Sequence, residues 1–401
     1  MLTKDSLQKQ AIAMLAERKR VALQWATGVG KGYTAVRAIQ QLKPKKTLIV
    51  VAETAHKKNW ADEINKAGGL DEFDMDVTME CYASLKNYKD TSWDLIIFDE
   101  AHHLGSDLRL DIISTIKSNM VLLLSATMDY ELQKCLDFTF GKFSVMTITI
   151  QDAIESGMLP TPRIVLIPLT LDYQTKGQTI EESWGRAAKR KTIKCTMKES
   201  WKYKKNKAQY PDMHLIIECS AYEKYNHLSD MLDFWMKRYS VTRNEVFKQK
   251  ALNFGSQRKV FMGELKTNYV KKLLKELDGK RYICFCTNIK QAEELGGTNA
   301  IHSKKADNQT IINSFNNKEI NSLFAVGMAQ EGMNLNDIQA GIIVQLDGKE
   351  RPFIQKFGRT MRADSPVQYI FYFRFTQDEK WLEKVIGEMD KSYIVNYEIH
   401  D

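Results

Sequence analysis

Short apolar runs alternate with stretches of helical spacing through the first third of the chain. VALQW (21–25), TLIVVA (47–52), DLIIF (94–98) and VLLLSA (121–126) are β-rich and bounded by turn or charged residues. That is the pattern of strands buried on both faces of a parallel sheet. Between them, 7–17 and 34–42 carry apolar residues three or four apart, as core-facing helices do. The alternation predicts βαβ units and an α/β fold.

GMLPTP (157–162) interrupts this rhythm, because glycine and proline break regular elements. The domain boundary is expected there, with a first domain over 1–157 and a second over 158–401. After a strand at RIVLIPLTL (163–171), an insertion over about 172–278 is expected to be largely helical. Within it Tyr225, Leu228, Met231, Leu232 and Trp235 fall at helical spacing, and so do Val270, Leu273, Leu274 and Leu277. Strand candidates at 282–286, 322–326, 340–346 and 367–373 then restore the α/β alternation. No repeat of solenoid period is visible.

Composition narrows the classes. With 401 residues, 43% hydrophobic and 27% charged, the chain can build two cores and is too apolar for large-scale disorder. No apolar run approaches the roughly 18–20 residues of a membrane span, and the start MLTKDSLQKQ has no signal-peptide core, so a cytoplasmic location is expected. The cysteines at 81, 135, 195, 219, 284 and 286 include no CxxC pair, which argues against a zinc site. Cys284 and Cys286 should share one strand face as small buried hydrophobes. The net charge of +8 permits a polyanionic partner. Its distribution says more: 186–207 holds ten basic residues against Glu199 alone, a net +9, with Trp201 and Tyr203 interleaved. Such a stretch suits phosphate contact and base stacking, although a solvated face carries the same pattern.

Candidate chemistry stands where strands end. VALQW runs into Thr27, Gly28, Val29, Gly30, Lys31 and Gly32 just ahead of a helical stretch. Glycines let backbone amides wrap a phosphate, the following helix presents its positive end, and a lysine there meets the β and γ oxygens. DLIIF ends in Asp99 and Glu100, followed by Ala101 and His102. A carboxylate at the C-terminal edge of a parallel strand lies where nucleotide sites form. Asp99 can hold magnesium and Glu100 can orient or deprotonate water, the two tasks of NTP hydrolysis.

Three more motifs follow in order: Ser125-Ala126-Thr127, QEGMNL at 330–335 and QKFGRTMR at 355–362. With them the chain resembles the superfamily 2 DExH-type helicases and translocases over roughly residues 5–365. The resemblance implies two RecA-like P-loop domains, ATP and magnesium in the cleft between them, and a nucleic-acid strand across both. It implies that Gln8 reads adenine and that Lys31 and the loop from Thr27 to Gly32 hold the phosphates, with Gly332 and Asn334 also at the nucleotide. Asp99 would serve magnesium and Glu100 water. His102, Ser125 and Thr127 would couple ATP state to domain movement, while Gln355, Arg359 and Arg362 would reach the γ-phosphate from the second domain.

Strand contacts are implied at Thr54, Thr287 and Asn288, to which Lys202, Lys204, Lys205 and Lys207 of the basic segment are added. Two positions depart from the family pattern. Gly32 replaces the Ser or Thr that ligates magnesium, so either a water stands in for the hydroxyl or the metal sits differently, and Asn334 replaces a frequent Asp. The form of the 355–362 motif and the compact length look like repair, recombination, restriction or phage-encoded motors, so DNA is expected over RNA. An RNA helicase is the alternative, and a nucleic-acid binder with a decayed ATPase is the alternative of another class.

Overall fold

The computed structural model describes residues 3–70, 76–327, 335–348, 353, 356–358, 360–361, 364–387 and 389–398. The expected α/β alternation opens it. Strands β1 (Arg20–Trp25), β2 (Lys46–Val51), β3 (Asp76–Cys81), β4 (Ser92–Asp99), β5 (Lys117–Ser125) and β6 (Ser144–Ile148) form a wholly parallel sheet in the order β3-β2-β4-β5-β1-β6. Alternate side chains divide each inner strand between two cores. Ile49, Val51, Leu95 and Ile97 meet Leu7, Leu15, Ala35 and Ile39 on one face, while Leu48, Val50, Ile96 and Phe98 meet Leu85, Leu104, Ile113 and Leu136 on the other. Burial on both faces is why these strands read as continuous apolar runs.

The breaker at 157–162 lies between β6 and β7 (Arg163–Leu169), which belong to different sheets. A small mixed sheet follows: β8 (Gln178–Trp184), β9 (Lys191–Thr196) and β10 (Met213–Cys219), with β10 central, antiparallel to β8 and parallel to β9. The helices Met197–Lys205, Ala221–Thr242, Glu245–Leu265 and Thr267–Glu276 make the rest of this region mostly helical, as expected. Capping boxes start two of them, Thr196 with Glu199 and Ser220 with Glu223, each satisfying two orphan amides.

The second large sheet takes β11 (Tyr282–Phe285), β12 (Ala300–Ile301), β13 (Ser322–Ala325), β14 (Ala340–Ile343), β15 (Val367–Phe373) and β16 (Ile394–Asn396) together with β7. It is parallel throughout, in the order β12-β13-β11-β14-β15-β7-β16. Cys284 and Cys286 are buried and unbridged, their sulfurs 3.9 Å apart. A buried ion pair fixes the end of the helical insertion to this sheet. Lys266 Nζ donates to Asp378 Oδ2 (2.6 Å), Gln345 Oε1 (2.8 Å) and the Phe371 carbonyl (3.2 Å), using all three of its protons. Among the described residues no helix is long and apolar enough to cross a membrane.

Candidate nucleotide and nucleic-acid site

β1 and β4 run in the same direction, so the loop after Trp25 and the carboxylates after Phe98 emerge at one edge of the sheet. The loop turns through Gly28 (φ 93°) and Gly30 (φ 103°), left-handed conformations that glycine adopts without a Cβ penalty. Gly30 then caps the helix Lys31–Leu42, whose buried Ala35, Val36, Ala38 and Ile39 anchor it to the core. The start of that helix, where first-turn amides lack intrahelical partners and the dipole is positive, thus adjoins the loop.

Lys31 Nζ donates to the Trp25 carbonyl at 2.8 Å. Burial lowers its pKa, opposed by the attraction of Glu100 and then of Asp99, so one lysine and two carboxylates share a single electrostatic site. Gln8, from the helix Lys4–Arg18, lies beside the loop: a Cβ on Gly30 would come within 3.2 Å of its Nε2. Gly32 is not sterically required, since a Cβ there would meet only Glu63 Cγ at 3.7 Å.

Asp99 is held on several sides. Its Oδ2 accepts the Trp60 indole N–H at 2.8 Å, its Oδ1 accepts the Glu100 amide at 3.0 Å, and its carbonyl accepts the Tyr82 hydroxyl at 2.8 Å. Glu100 sits at φ 49°, a strained left-handed backbone of the kind that clusters at functional sites. From it a polar chain leads away. His102 Nδ1 is 3.4 Å from Glu100 Oε2 and 3.4 Å from Ser125 Oγ, and that hydroxyl donates to the Thr127 carbonyl at 2.6 Å.

Trp60 and Tyr82 belong to no sequence motif. Trp60 lies on the mainly polar helix Thr54–Lys66, yet it is only 3% exposed. An indole at the buried position of a polar helix was the available signal.

The helix fragment at 356–358 of the 355–362 motif lies against the loop, where a Cβ on Gly358 would come within 2.5 Å of Thr27 Cβ. Gln355, Arg359, Arg362, Gly332 and Asn334 lie outside the described residues.

The expected strand contacts divide. Thr54 is exposed at the start of its helix. Thr287 and Asn288 are instead engaged by the insertion. A Cβ on Gly263 would overlap Thr287 Oγ1 at 2.0 Å, and that buried hydroxyl has no hydrogen-bond partner among the described residues. Asn288 caps the helix Ile289–Gly296 and donates to Glu264 Oε1 at 2.8 Å. Lys202, Lys204 and Lys205 sit on the helix Met197–Lys205, and Lys207 lies just beyond it. Lys204 pairs with Glu182 at 2.6 Å, while Lys205 and Lys207 stand over the rings of Trp201 and Trp184.

Comparison with known proteins finds helicase-type matches in both halves of the chain. Residues 265–364 match the helicase conserved C-terminal domain, and 2–82 with 71–130 match the type III restriction enzyme, res subunit. The chain is 23% identical over 378 residues to the DNA 3'-5' translocase XPB2 of Sulfurisphaera tokodaii, a match covering 88% of this chain and 77% of that protein. It is 27% identical over 95 residues to the ATP-dependent RNA helicase DBP6 of Candida albicans, covering 23% and 16%. Among solved structures, S. cerevisiae Dbp5 bound to RNA and ADP BeF3 matches with a TM-score of 0.61 at 10% identity, covering 99% of this chain and 90% of that one. The Pyrococcus furiosus Hef helicase domain matches at 0.50 and 13% identity, covering 96% and 99%.

The preference for DNA over RNA is therefore corrected. The solved structures with the higher TM-score hold RNA, and one curated relative is an RNA helicase. The physical reason is that hydroxyls, amides and lysines on phosphates carry little information about the sugar, which a 2′-OH contact must supply. The motif letters behind the preference contain no such contact.

Proposed function

From the premise that this chain is a superfamily 2 helicase of two RecA-like domains, we propose that it is an ATP-driven motor acting on RNA. The observation that carries the reading is the convergence of Lys31, Asp99 and Glu100 at one sheet edge beside a glycine loop and a helix end. Likeness along nearly the whole chain to an RNA-bound fold supports RNA as the strand.

We assign the nucleotide-binding domain to 1–157 and its partner to 158–401. The loop from Thr27 to Gly32 holds the phosphates by its amides and Lys31, and Gln8 stands within reach of the base. The residues fit a magnesium nucleotide, because Asp99 offers an oriented carboxylate next to a lysine. Bound there, magnesium would neutralise charge developing on the phosphates. Glu100, on its strained backbone, orients the attacking water and takes its proton. His102, Ser125 and Thr127 carry the change at Glu100 towards β5. The contact of Gly358 with Thr27 supports the assignment of Gln355, Arg359 and Arg362 to the γ-phosphate, with Gly332 and Asn334 nearby. We assign phosphate contacts to Thr54 and to the basic face around Lys202, Lys205 and Lys207, with Lys204, Thr287 and Asn288 freed for contact only if Glu182 and the insertion helix release them.

The test is ATP hydrolysis without nucleic acid and with single-stranded RNA, single-stranded DNA or duplex. RNA should give the strongest stimulation, and Glu100→Gln should abolish turnover while retaining ATP binding. Stimulation by DNA alone would overturn the RNA assignment, and an active Glu100→Gln enzyme would overturn the site.

A further inference from the structure

The helices Ala221–Thr242 and Glu245–Leu265 fold back on one another as a hairpin joined at Arg243 and Asn244. Near the join they open a groove of about 530 Å³ lined by Phe234, Lys237, Arg238, Val241, Thr242 and Phe247. The apolar groups here are poorly covered: Phe234 is 45% exposed, Val241 84% and Val246 57%. Residues 234–250 carry Lys237, Arg238, Arg243, Lys248 and Lys250 against Glu245 alone, a net +4. The cations stand on the rings themselves. The Arg238 guanidinium lies 4.8 Å from the Phe234 centroid and 5.8 Å from those of Trp235 and Phe247, and Lys250 Nζ lies 4.2 Å from Trp235. The Trp235 indole N–H is buried with no hydrogen-bond partner among the described residues.

Exposed rings with cations among them suit a ligand that has flat π faces on an anionic backbone. A docked amphipathic helix would need apolar anchors repeating over several turns. This groove draws on two short stretches at the end of a hairpin.

We infer that the hairpin tip is a second binding site for single-stranded nucleic acid, taking an unstacked base at Phe234 and Phe247 and neighbouring phosphates at Lys237, Arg243 and Lys250. The site lies outside the nucleotide cleft and would hold the strand beyond the part gripped there. The inference rests on the reading of the chain as a nucleic-acid motor, but on neither choice of sugar.

The test measures binding of a long and a short labelled single strand, in both RNA and DNA form, to the full chain, to Phe234→Ala and to a Lys237→Gln, Arg243→Gln, Lys250→Gln triple variant. Phe234→Ala should weaken long-strand binding about tenfold, the scale of one lost base stack. The triple variant should reduce the slope of log affinity against log salt by about 2, from three lost single-strand phosphate contacts. The short strand, chosen to fill the cleft alone, should bind all three proteins equally. Crosslinking of a 4-thiouridine strand to the wild-type chain should give adducts within 234–250, a readout independent of variant folding. Long-strand affinity unchanged in both variants, or adducts only elsewhere, would overturn the inference. Wild-type ATPase unmoved by RNA, with tip-dependent binding intact, would instead overturn the proposed function and leave this site standing.

Discussion

Replacing Trp60 by Phe keeps a buried aromatic ring and deletes one donor, the indole N–H that reaches Asp99 Oδ2 at 2.8 Å. A hydrogen bond to a charged group contributes about 1.5–3 kcal/mol, and each 1.4 kcal/mol is a factor of ten in a rate or affinity. Behind a carboxylate that holds metal, the role proposed for Asp99, loss of such a donor costs roughly 10–100-fold in affinity or activity. The lower end is expected here, because the Glu100 amide still holds Oδ1 at 3.0 Å. In an ATPase assay titrated with magnesium, Trp60→Phe should therefore need about tenfold more metal for half-maximal rate. Binding of nucleotide without magnesium should change little, since Lys31 and the loop are untouched. Trp60 is 3% exposed, so the smaller ring should also lower the melting temperature, and that drop must be separated from the metal effect. A lower melting temperature with wild-type magnesium dependence would mean that Trp60 only fills the core and does not position Asp99.

Three further outcomes follow from single positions. Gly32→Ser should fold, since its Cβ meets only Glu63 Cγ at 3.7 Å, and its hydroxyl should lower the magnesium requirement; an unchanged midpoint would show that the glycine costs the site nothing. Lys266→Met strands Asp378 in the interior, which should cost about 3–5 kcal/mol; urea unfolding would refute this if the variant matched the wild type. Burial pushes the Lys356 amine down to about 8 from 10.5, partly offset by Asp347. Between those values the unfolded chain binds more protons, so stability should rise with pH across that window. Lys356→Met should remove this slope and stabilise the chain at pH 7 by up to ~3 kcal/mol; a variant that kept the wild-type slope between pH 8 and 10 would exclude Lys356 as its source.

What the sequence made legible follows from how each element is buried. Inner strands such as β4, with Leu95 to Phe98 all buried, announce themselves as apolar runs because both faces are covered. β3 and β6 close the two edges of the same sheet, expose part of their side chains and mix polar with apolar residues. They produce no run. The small sheet escaped for a related reason: β10 alternates buried with less buried positions and β8 is mostly polar, a period-two signal easily masked by the charge around it.

The site divides along a similar line. The glycines, Lys31, Asp99 and Glu100 stand out in the sequence because the left-handed turns at Gly28 and Gly30, and the phosphate chemistry proposed for the site, restrict such positions to few residue types. Trp60, Tyr82 and Gly263 are defined by what the fold brings against them from distant sequence, and no local pattern encodes that. Thr287 makes the point most directly. The family resemblance implied a hydroxyl open to a strand, but Gly263 lets the insertion helix lie directly on that hydroxyl. With that hydroxyl buried under Gly263, the helix Glu245–Leu265 of the same insertion that carries the hairpin tip covers this part of the second sheet's edge.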